Sequence, residues 1–279
     1  MQRNFVACYF YSSTAKHSEL NWLKIIAFLS LALLVVPVVF LLFEGFGPLR
    51  SPLGYSYDVF RSIELTLLSS TIAAGSCVGI FTPLSYYLAR NESKLGETLA
   101  DIPASIAHPI IGVALLVLFS PLNSFGRFMQ SIGINIFDSL LGLVLALTIV
   151  SGPIFIKSMQ PFFKSMSQAP ELYAQGLGAS KFRTFISVVV PNSGKGILNA
   201  SLISMSRAMS EFGSIAIIAY ELLSPKAFFG VSPASVQIYS LYTQYGLAGA
   251  ATASAVMIVI SAGIMISLRF VSWKWQAAS

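Results

Sequence analysis

The sequence predicts an all-α, polytopic membrane protein with six transmembrane helices. Hydrophobic residues make up 55% of the 279 residues, charged residues make up 10%, and six apolar segments are long enough to cross a bilayer. A bilayer core of about 30 Å needs about 20 apolar residues in a helix, whereas soluble domains carry about 25% charged residues. The predicted spans are residues 25–43, 65–89, 102–120, 139–156, 196–220 and 247–268.

Four of these segments, the first, second, fourth and sixth, contain no charged residue. The third contains only His108, and the fifth contains Arg207 and Glu211. The apolar run of the first segment exceeds the 7–15 residues of a signal peptide, and no A-x-A cleavage site follows it. We therefore predict a span there and not a signal peptide.

The distribution of lysine and arginine predicts the orientation, because cytoplasmic loops carry an excess of both residues. With a cytoplasmic N-terminus, that side holds Arg3, Lys16, Lys24, Arg90, Lys94, Lys157, Lys164, Lys181, Arg183, Lys195, Arg269 and Lys274, and the other holds Arg50, Arg61, Arg127 and Lys226. We therefore expect a plasma-membrane protein surrounded by lipid, with cytoplasmic tails at residues 1–24 and 272–279 and a transmembrane domain at residues 25–271.

A polar loop with several glycines, residues 157–195, separates the fourth and fifth segments. Pro170 and Glu171 suit the first turn of a helix, because proline lacks an N–H that would be unpaired there and the helix dipole favours an acidic residue. Gly178 can adopt the left-handed conformation that ends a helix, and Ser180 is a suitable N-cap for a second one. The loop is therefore predicted as two short helices joined at a glycine turn.

We predict that Pro191 closes this loop of two short helices. An apolar ridge is expected along the two helices. The ridge consists of Leu172, Tyr173, Leu177, Phe182 and Phe185. Such a ridge fits a groove in a partner protein. An amphipathic helix that rests on lipid headgroups is the alternative.

The loop resembles the EAA signature of ABC importer permeases, in which a glycine is followed by nine residues, an aliphatic residue, any residue, an aliphatic residue and proline. The residues that match are Ala174, Gly178, Val188, Val190 and Pro191. Leu172 and Tyr173 stand where the signature has glutamate and its first alanine, and Glu171 lies one place earlier.

This resemblance implies a type I ABC importer permease fold, in which the loop is the coupling helix that inserts into a cleft of a cytoplasmic ATP-binding subunit. Two copies of that subunit, a second copy of this chain and an external binding protein are the implied partners. The implied coupling residues are Glu171, Leu172, Tyr173, Ala174, Gly178, Ala179, Ser180, Phe182, Arg183 and Pro191.

The sequence predicts that the chain binds no ATP itself. Residues 193–196 superficially resemble a P-loop, but Val189 replaces its earlier glycine and Gly196 replaces its Ser or Thr. The chain is therefore expected to be no enzyme and to bind no cofactor, with ATP and magnesium held by the partner subunit.

Arg207 and Glu211 lie four residues apart in the fifth segment, so they share a helix face and can pair. Each charge at the bilayer centre costs about 2.5–3.5 kcal/mol on insertion scales, so such residues usually face a cavity or another helix. Two interpretations remain open from the residues alone: a polar translocation pathway, or an internal ion pair that fixes helix packing.

Residues 207–214 resemble the stretch R-A-x-x-E-F-G-[AS] of permeases for molybdate, tungstate and sulfate. Residues 100–103 and 108–115 resemble the entry to the third span of that group, and we expect His108 to make a satisfied polar contact. The resemblance implies a homodimeric permease for a tetrahedral oxyanion, molybdate or tungstate first. Its implied pathway residues are Arg207, Ser210, Glu211 and Ser214.

The sequence leaves two other transporter classes open and offers no motif of an intramembrane enzyme. A sulfate or thiosulfate permease shares these motifs, and a proton-driven transporter would use Glu211 or His108 as its relay. The sequence has no H-E-x-x-H or G-x-S-x-G motif, and Cys8 and Cys77 form no C-x-x-C pair. We therefore predict no catalytic residue and no metal site. The net charge of +6 is attributed to topology and not to a nucleic-acid partner.

Overall fold

The structure of the chain is a computed structural model that describes the backbone of residues 3–91 and 93–278 and the side chains of residues 22–91 and 93–274. Within these residues, the regular structure is helical apart from two isolated β-bridges, Ser139 to Ser224 and Leu222 to Val231. The all-α prediction is confirmed. The first two residues of the predicted N-terminal tail and the last residue of the C-terminal tail lie outside the described backbone.

The chain forms twelve α-helices in its described part, with 3₁₀ turns at Pro52–Tyr55 and Lys226–Phe228 and a π-helical turn at Phe185–Val189. The helices are α1 (Arg3–Phe46), α2 (Tyr57–Asn91), α3 (Lys94–Ser105), α4 (His108–Phe119), α5 (Ser124–Ser131), α6 (Leu140–Ser165), α7 (Ala169–Gly176), α8 (Lys181–Thr184), α9 (Val190–Asn192), α10 (Gly194–Met209), α11 (Ile215–Ile218) and α12 (Ala234–Ala278).

Four helices are long and apolar enough to cross a membrane: Trp22–Phe46 of α1, all of α2 and α6, and Ala234–Lys274 of α12. They contain the first, second, fourth and sixth predicted spans. Helices α3 and α4 make a fifth candidate if the bent pair is one span. The six continuous spans that the sequence predicts are therefore not found among the described residues.

The third predicted span is broken, because α3 and α4 meet at an angle of 101°. Ile106 and Ala107 between them are extended, with ψ of 154° and 130°. Pro109 explains the break, since its ring nitrogen cannot donate to the carbonyl four residues earlier and its ring crowds that turn. Proline is instead accommodated in the first turn of a new helix, α4.

The fifth predicted span is broken too, because α10 ends at Met209 and only the short α11 follows. Glu211 competes with the helical hydrogen bonds, since its Oε1 accepts from the Ser214 backbone N at 2.9 Å and from the Ser214 Oγ at 3.0 Å. Gly213 is required by close packing, because a Cβ there would lie 2.9 Å from Cδ of Pro109.

Helices α2, α6 and α10 form the centre of the bundle. Their contacts are close: a Cβ at Gly152 of α6 would lie 2.5 Å from Cε2 of Phe81 on α2. The buried residues of one apolar cluster between these helices are Cys77, Ala89, Phe155, Met159, Phe163, Val189 and Ala200. Helix α12 bends at Gly246, whose φ of 72° and ψ of −161° are not helical. The sixth predicted span begins directly after that bend.

Candidate functional site

The predicted coupling loop, residues 157–195, contains two short helices, α7 and α8, as the sequence predicts. Pro170 lies in the first turn of α7, and Gly178 after it has a φ of +89°, the left-handed conformation that glycine adopts most readily. The Ser180 hydroxyl accepts a hydrogen bond from the Arg183 backbone N at 3.2 Å and so caps α8. The glycine turn and the N-cap are therefore confirmed.

The boundaries of the loop differ from the prediction at both ends. Residues 157–165 continue α6, which passes through Pro161 and ends at Ser165. Pro191 does not close the second helix, since the chain continues through a π-helical turn, Phe185–Val189, and α9 to α10. The nitrogen of Pro191 cannot donate a hydrogen bond to the carbonyl four residues earlier. The π-helical turn that precedes this proline has a different pattern of backbone hydrogen bonds from an α-helix.

An apolar ridge is exposed on the coupling loop. The exposed fractions of Leu172, Tyr173, Leu177 and Phe182 are 64%, 75%, 90% and 76%. Phe185 is the exception, because its partly buried ring packs 5.2 Å from the ring of Tyr86 on α2. Of the other predicted coupling residues, Ser180, Arg183 and Pro191 are exposed, whereas Ala174 and Ala179 are half-buried.

Glu171 lies on the opposite side of α7 from this ridge and is only 6% exposed. Its Oε1 lies 2.5 Å from Nη2 of Arg90, and its Oε2 accepts a hydrogen bond from the Tyr86 hydroxyl at 2.6 Å. Arg90 also donates from Nη1 to the Phe163 carbonyl at 2.9 Å. Glu171 therefore joins α7 to the ends of α2 and α6 and belongs to the inner surface of the loop.

A second group of functional candidates lies where α10 ends. This polar cluster consists of Arg207, Ser210, Glu211 and Ser214, which the sequence predicts, and His108 of α4. Nη2 of Arg207 lies 3.0 Å from Oε2 of Glu211, so the predicted ion pair is confirmed. The pair forms across a helix end and not along a continuous helix, because α10 stops between its two residues.

His108 completes the polar cluster. Its Nδ1 lies 3.0 Å from Oε2 of Glu211, and Nη2 of Arg207 lies 2.8 Å from Nδ1 and 2.9 Å from Nε2. Nη2 of Arg207 is therefore about equally close to both ring nitrogens, and Nδ1 donates to Glu211 when it carries a proton. The expectation that His108 makes a satisfied polar contact is therefore confirmed.

The members of the polar cluster differ in exposure. Glu211 and Ser214 are buried, with exposed fractions of 1% and 0%, whereas the side chains of Arg207 and His108 are 21% and 34% exposed. Ser210 is exposed and accepts a hydrogen bond from Nη1 of Arg207 at 3.3 Å. The carboxylate thus lies behind the guanidinium. The Ser210 hydroxyl donates to the Arg207 carbonyl at 2.9 Å, so the partly exposed guanidinium of Arg207 supplies the remaining donors of these two residues.

Ser210 lines two adjoining cavities of about 440 and 480 Å³ between α10 and α12. Met209, Ile238 and Met257 line both as well, and Ser206 lines the first. Of the four predicted pathway residues, Ser210 lines both cavities, whereas Arg207, Glu211 and Ser214 line neither. Ser214 is buried against Glu211. The groove between α10 and α12 is therefore mostly apolar, with hydroxyls at a few points.

The sequence did not identify Arg90 and Tyr86 as members of a candidate site. It predicted a polar contact for His108 but not its partners, Glu211 and Arg207. Arg90 was used only for topology, and no local spacing links it or Tyr86 to Glu171. Among the side chains that the structure describes, no group of three His, Cys, Asp or Glu residues could hold a metal ion. The arrangement is suited to binding a protein at the loop and to transient contact with a polar solute at the cluster.

The known proteins that the chain resembles are permease proteins of oxyanion transport systems. The chain is 32% identical to the molybdate/tungstate transport system permease protein WtpB of Pyrococcus furiosus, over 79% of this chain and 81% of that protein. It is also 32% identical to WtpB of Thermococcus kodakarensis, over 78% and 81%. The sulfate transport system permease protein CysT of Synechocystis sp. is 28% identical over 92% of this chain and 90% of its own length. No protein-family profile matches the chain.

Proposed function

Because this chain belongs to the ABC importer permease family of molybdate, tungstate and sulfate transport, we propose that it imports molybdate or tungstate, as one of two identical permease subunits. The observation that carries this proposal is the 32% identity to molybdate/tungstate permeases over about four fifths of the chain. We propose that ATP and magnesium are bound by two copies of a partner subunit, that an external binding protein delivers the oxyanion, and that this chain binds no cofactor.

The apolar ridge of the coupling loop is the proposed docking surface for the ATP-binding subunit. Tyr173 and Phe182 are large rings with about three quarters of their surface exposed, and aromatic side chains of this kind are frequent anchors in protein interfaces. We propose that this loop and both termini lie in the cytoplasm, because cytoplasmic segments carry an excess of lysine and arginine. A lipid-resting helix is the competing interpretation of the same ridge.

The proposed contact site of the oxyanion is the polar cluster, which reaches the groove at Ser210. A dianion in a low-dielectric environment needs hydrogen-bond donors in place of water. The partly exposed Arg207 supplies N–H donors, and the exposed Ser210 hydroxyl becomes a donor to the anion when it leaves the Arg207 carbonyl. Glu211 balances the charge of Arg207 at 3.0 Å. A guanidinium that is paired with a carboxylate attracts an anion less strongly than an unpaired guanidinium does. Weak binding of this kind allows the oxyanion to move on through the groove.

Sulfate is the second candidate substrate, because the similarity to the Synechocystis sulfate permease extends over 92% of the chain. A proton-driven transporter is a third, because the partly exposed His108 contacts the buried Glu211. Sulfate uptake, like molybdate uptake, requires ATP and a partner subunit. A proton-driven transporter requires neither.

Reconstitution in proteoliposomes tests the proposal. The purified chain is incorporated with an ATP-binding subunit and an oxyanion-binding protein from the same gene neighbourhood, and uptake of radioactive molybdate is measured with and without internal ATP. We expect ATP-dependent uptake that tungstate suppresses at lower concentration than sulfate. Stronger suppression by sulfate favours the sulfate permease. Uptake by the chain alone under a proton gradient contradicts the ABC mechanism.

A further inference from the structure

Glu171 is buried on a helix whose other side is exposed. It is 6% exposed, whereas the next two residues, Leu172 and Tyr173, are 64% and 75% exposed. Successive residues of an α-helix point about 100° apart, so this contrast defines an inner and an outer side of α7. Glu171 therefore faces the bundle, and its carboxylate is not part of the proposed docking surface.

The inner side of α7 is fastened to the bundle by side chains. We call Glu171, Arg90 and Tyr86 the latch. Arg90 and Tyr86 each contact a different oxygen of the Glu171 carboxylate, at 2.5 and 2.6 Å. The guanidinium of Arg90 also lies 5.6 Å from the centre of the Tyr86 ring. Because both oxygens are held from α2, the carboxylate has a fixed position relative to that helix.

The backbone connections of α7 are irregular on both sides. Residues 166–168 join it to α6, and residues 177–180 join it to α8. The second connection contains Gly178 at a φ of +89° and follows Gly176 at the end of α7, and glycine resists rotation less than other residues. Without the latch, these two connections would absorb a displacement of α7 before it reached the membrane helices.

Helix α2 extends from the latch to the neighbourhood of the polar cluster. Arg90 and Tyr86 lie near its C-terminal end, and Ala74, four turns earlier, is buried in an apolar cluster with Met205 and Met209 of α10. Arg207 lies between these two methionines in the sequence. A movement of α2 along its axis would therefore act directly on the last turn of α10, which carries the Arg207–Glu211 pair.

We propose that Glu171 is a positioning residue that transmits displacement of α7 to α2 through Arg90. This inference rests on the proposed docking of an ATP-binding subunit on the coupling loop. When two such subunits close, α7 is displaced, the latch moves α2 with it, and α2 shifts the end of α10. The exposed ridge makes the contact with the ATP-binding subunit, and the buried carboxylate converts that contact into movement of the bundle.

Transport per ATP tests this division of roles. The reconstituted complex is compared with Glu171→Gln, which keeps the size of the side chain and removes its charge. We expect the same amount of co-purified ATP-binding subunit and a drop of at least fivefold in oxyanion imported per ATP hydrolysed. Glu97→Gln is the matched control, because Glu97 forms a more exposed ion pair with Lys164 at the same end of α6. The control should keep the wild-type ratio.

Exchange of the two charges adds a stricter comparison. The double variant, Glu171→Arg with Arg90→Glu, should import at least a third as much oxyanion per ATP hydrolysed as the wild type. Each of the two single variants should fall below that value. If Glu171→Gln gives too little protein, Glu171→Asp replaces it, because the shorter side chain retracts the carboxylate from Arg90 while keeping the charge. A wild-type ratio in either variant overturns the inference, as does loss of the co-purified ATP-binding subunit.

A distance measurement reads the latch independently of transport. Spin labels are attached at Tyr87→Cys on α2 and Gln175→Cys on α7, both exposed positions, after Cys8 and Cys77 have been replaced. We expect a narrow distance distribution with Glu171 present and one at least twice as wide with Glu171→Gln. Equal widths overturn the latch. If the wild-type complex shows no ATP-dependent uptake, the proposed function fails instead, whatever the distances are.

Discussion

Two buried carboxylates, Glu171 and Glu211, are held in a similar way in two different regions. Each is less than 10% exposed and each contacts one arginine. Glu171 also contacts a tyrosine hydroxyl, whereas Glu211 also contacts a histidine ring and accepts two hydrogen bonds from Ser214. The first lies at the edge of the bundle beside an exposed docking ridge. The second lies inside the bundle, where two helices are interrupted.

The two pairs differ in sequence separation. Arg207 and Glu211 are four residues apart, whereas Arg90 and Glu171 are 81 residues apart. The local pair fixes the conformation of one helix end, while the distant pair connects separate elements. The same kind of ion pair thus holds a helix end in one place and joins two separate elements in the other.

The largest effect is expected from Arg207→Met, which removes one partner of the buried pair. Glu211 would remain as an uncompensated charge in a low-dielectric environment, at a cost of about 3–5 kcal/mol. Reversible unfolding in mixed micelles measures the free energy of unfolding. The matched control is Arg207→Met with Glu211→Leu, which removes both charges and should be clearly more stable than the single variant. Equal stability of the two would contradict the buried-pair interpretation.

The next effect concerns the docking ridge. Tyr173→Asp places a charge in the proposed interface and should weaken binding of the ATP-binding subunit by about 2 kcal/mol, or roughly 30-fold in Kd. Co-purification and a binding titration in detergent measure it. Tyr57→Asp is the control, because Tyr57 is also 75% exposed but lies at the start of α2, away from the coupling loop. A lipid-resting ridge would give two unchanged Kd values.

Glu211→Gln should have a smaller effect on stability and a specific one on transport. The amide can still accept from Ser214, but the charge of Arg207 is no longer balanced, so an oxyanion dissociates from it more slowly. We expect a roughly tenfold slower uptake, equivalent to about 1.4 kcal/mol, and unchanged affinity of the binding protein. Uptake at the wild-type rate would leave Glu211 with a packing role alone.

The smallest effect is expected from Tyr86→Phe, which removes one hydrogen bond to Glu171 and keeps the ring packed on Phe163 and Phe185. A single hydrogen bond contributes about 1 kcal/mol, so the melting temperature should fall by a few degrees. Tyr87→Phe is the matched control on the next residue, whose side chain is 56% exposed. A change as large for Tyr87→Phe would show that the hydroxyl contact to Glu171 is not the cause.

Most of the fold could be predicted from composition and from local signals. The four uninterrupted spans follow from apolar length, and the glycine turn and Ser180 cap follow from the preferences of single residues. The two broken spans could not be predicted in this way, because hydropathy is the same for a straight and a bent helix. Pro109 was visible in the sequence, but a criterion of apolar length gives no weight to a proline. The close packing of Gly213 on Pro109, where an added Cβ would lie 2.9 Å from Cδ of the proline, is visible only in the tertiary structure.

The sequence by itself determined the membrane class, the coupling loop with its glycine turn, and the Arg207–Glu211 pair, because each depends on apolar length or on residues a few positions apart. Only the tertiary structure decided that Glu171 points inward to Arg90 and Tyr86, that Phe185 leaves the ridge, and that His108 joins the polar cluster. These contacts connect helices that are distant along the chain, and their geometry is set by how α2, α4, α6 and α10 pack.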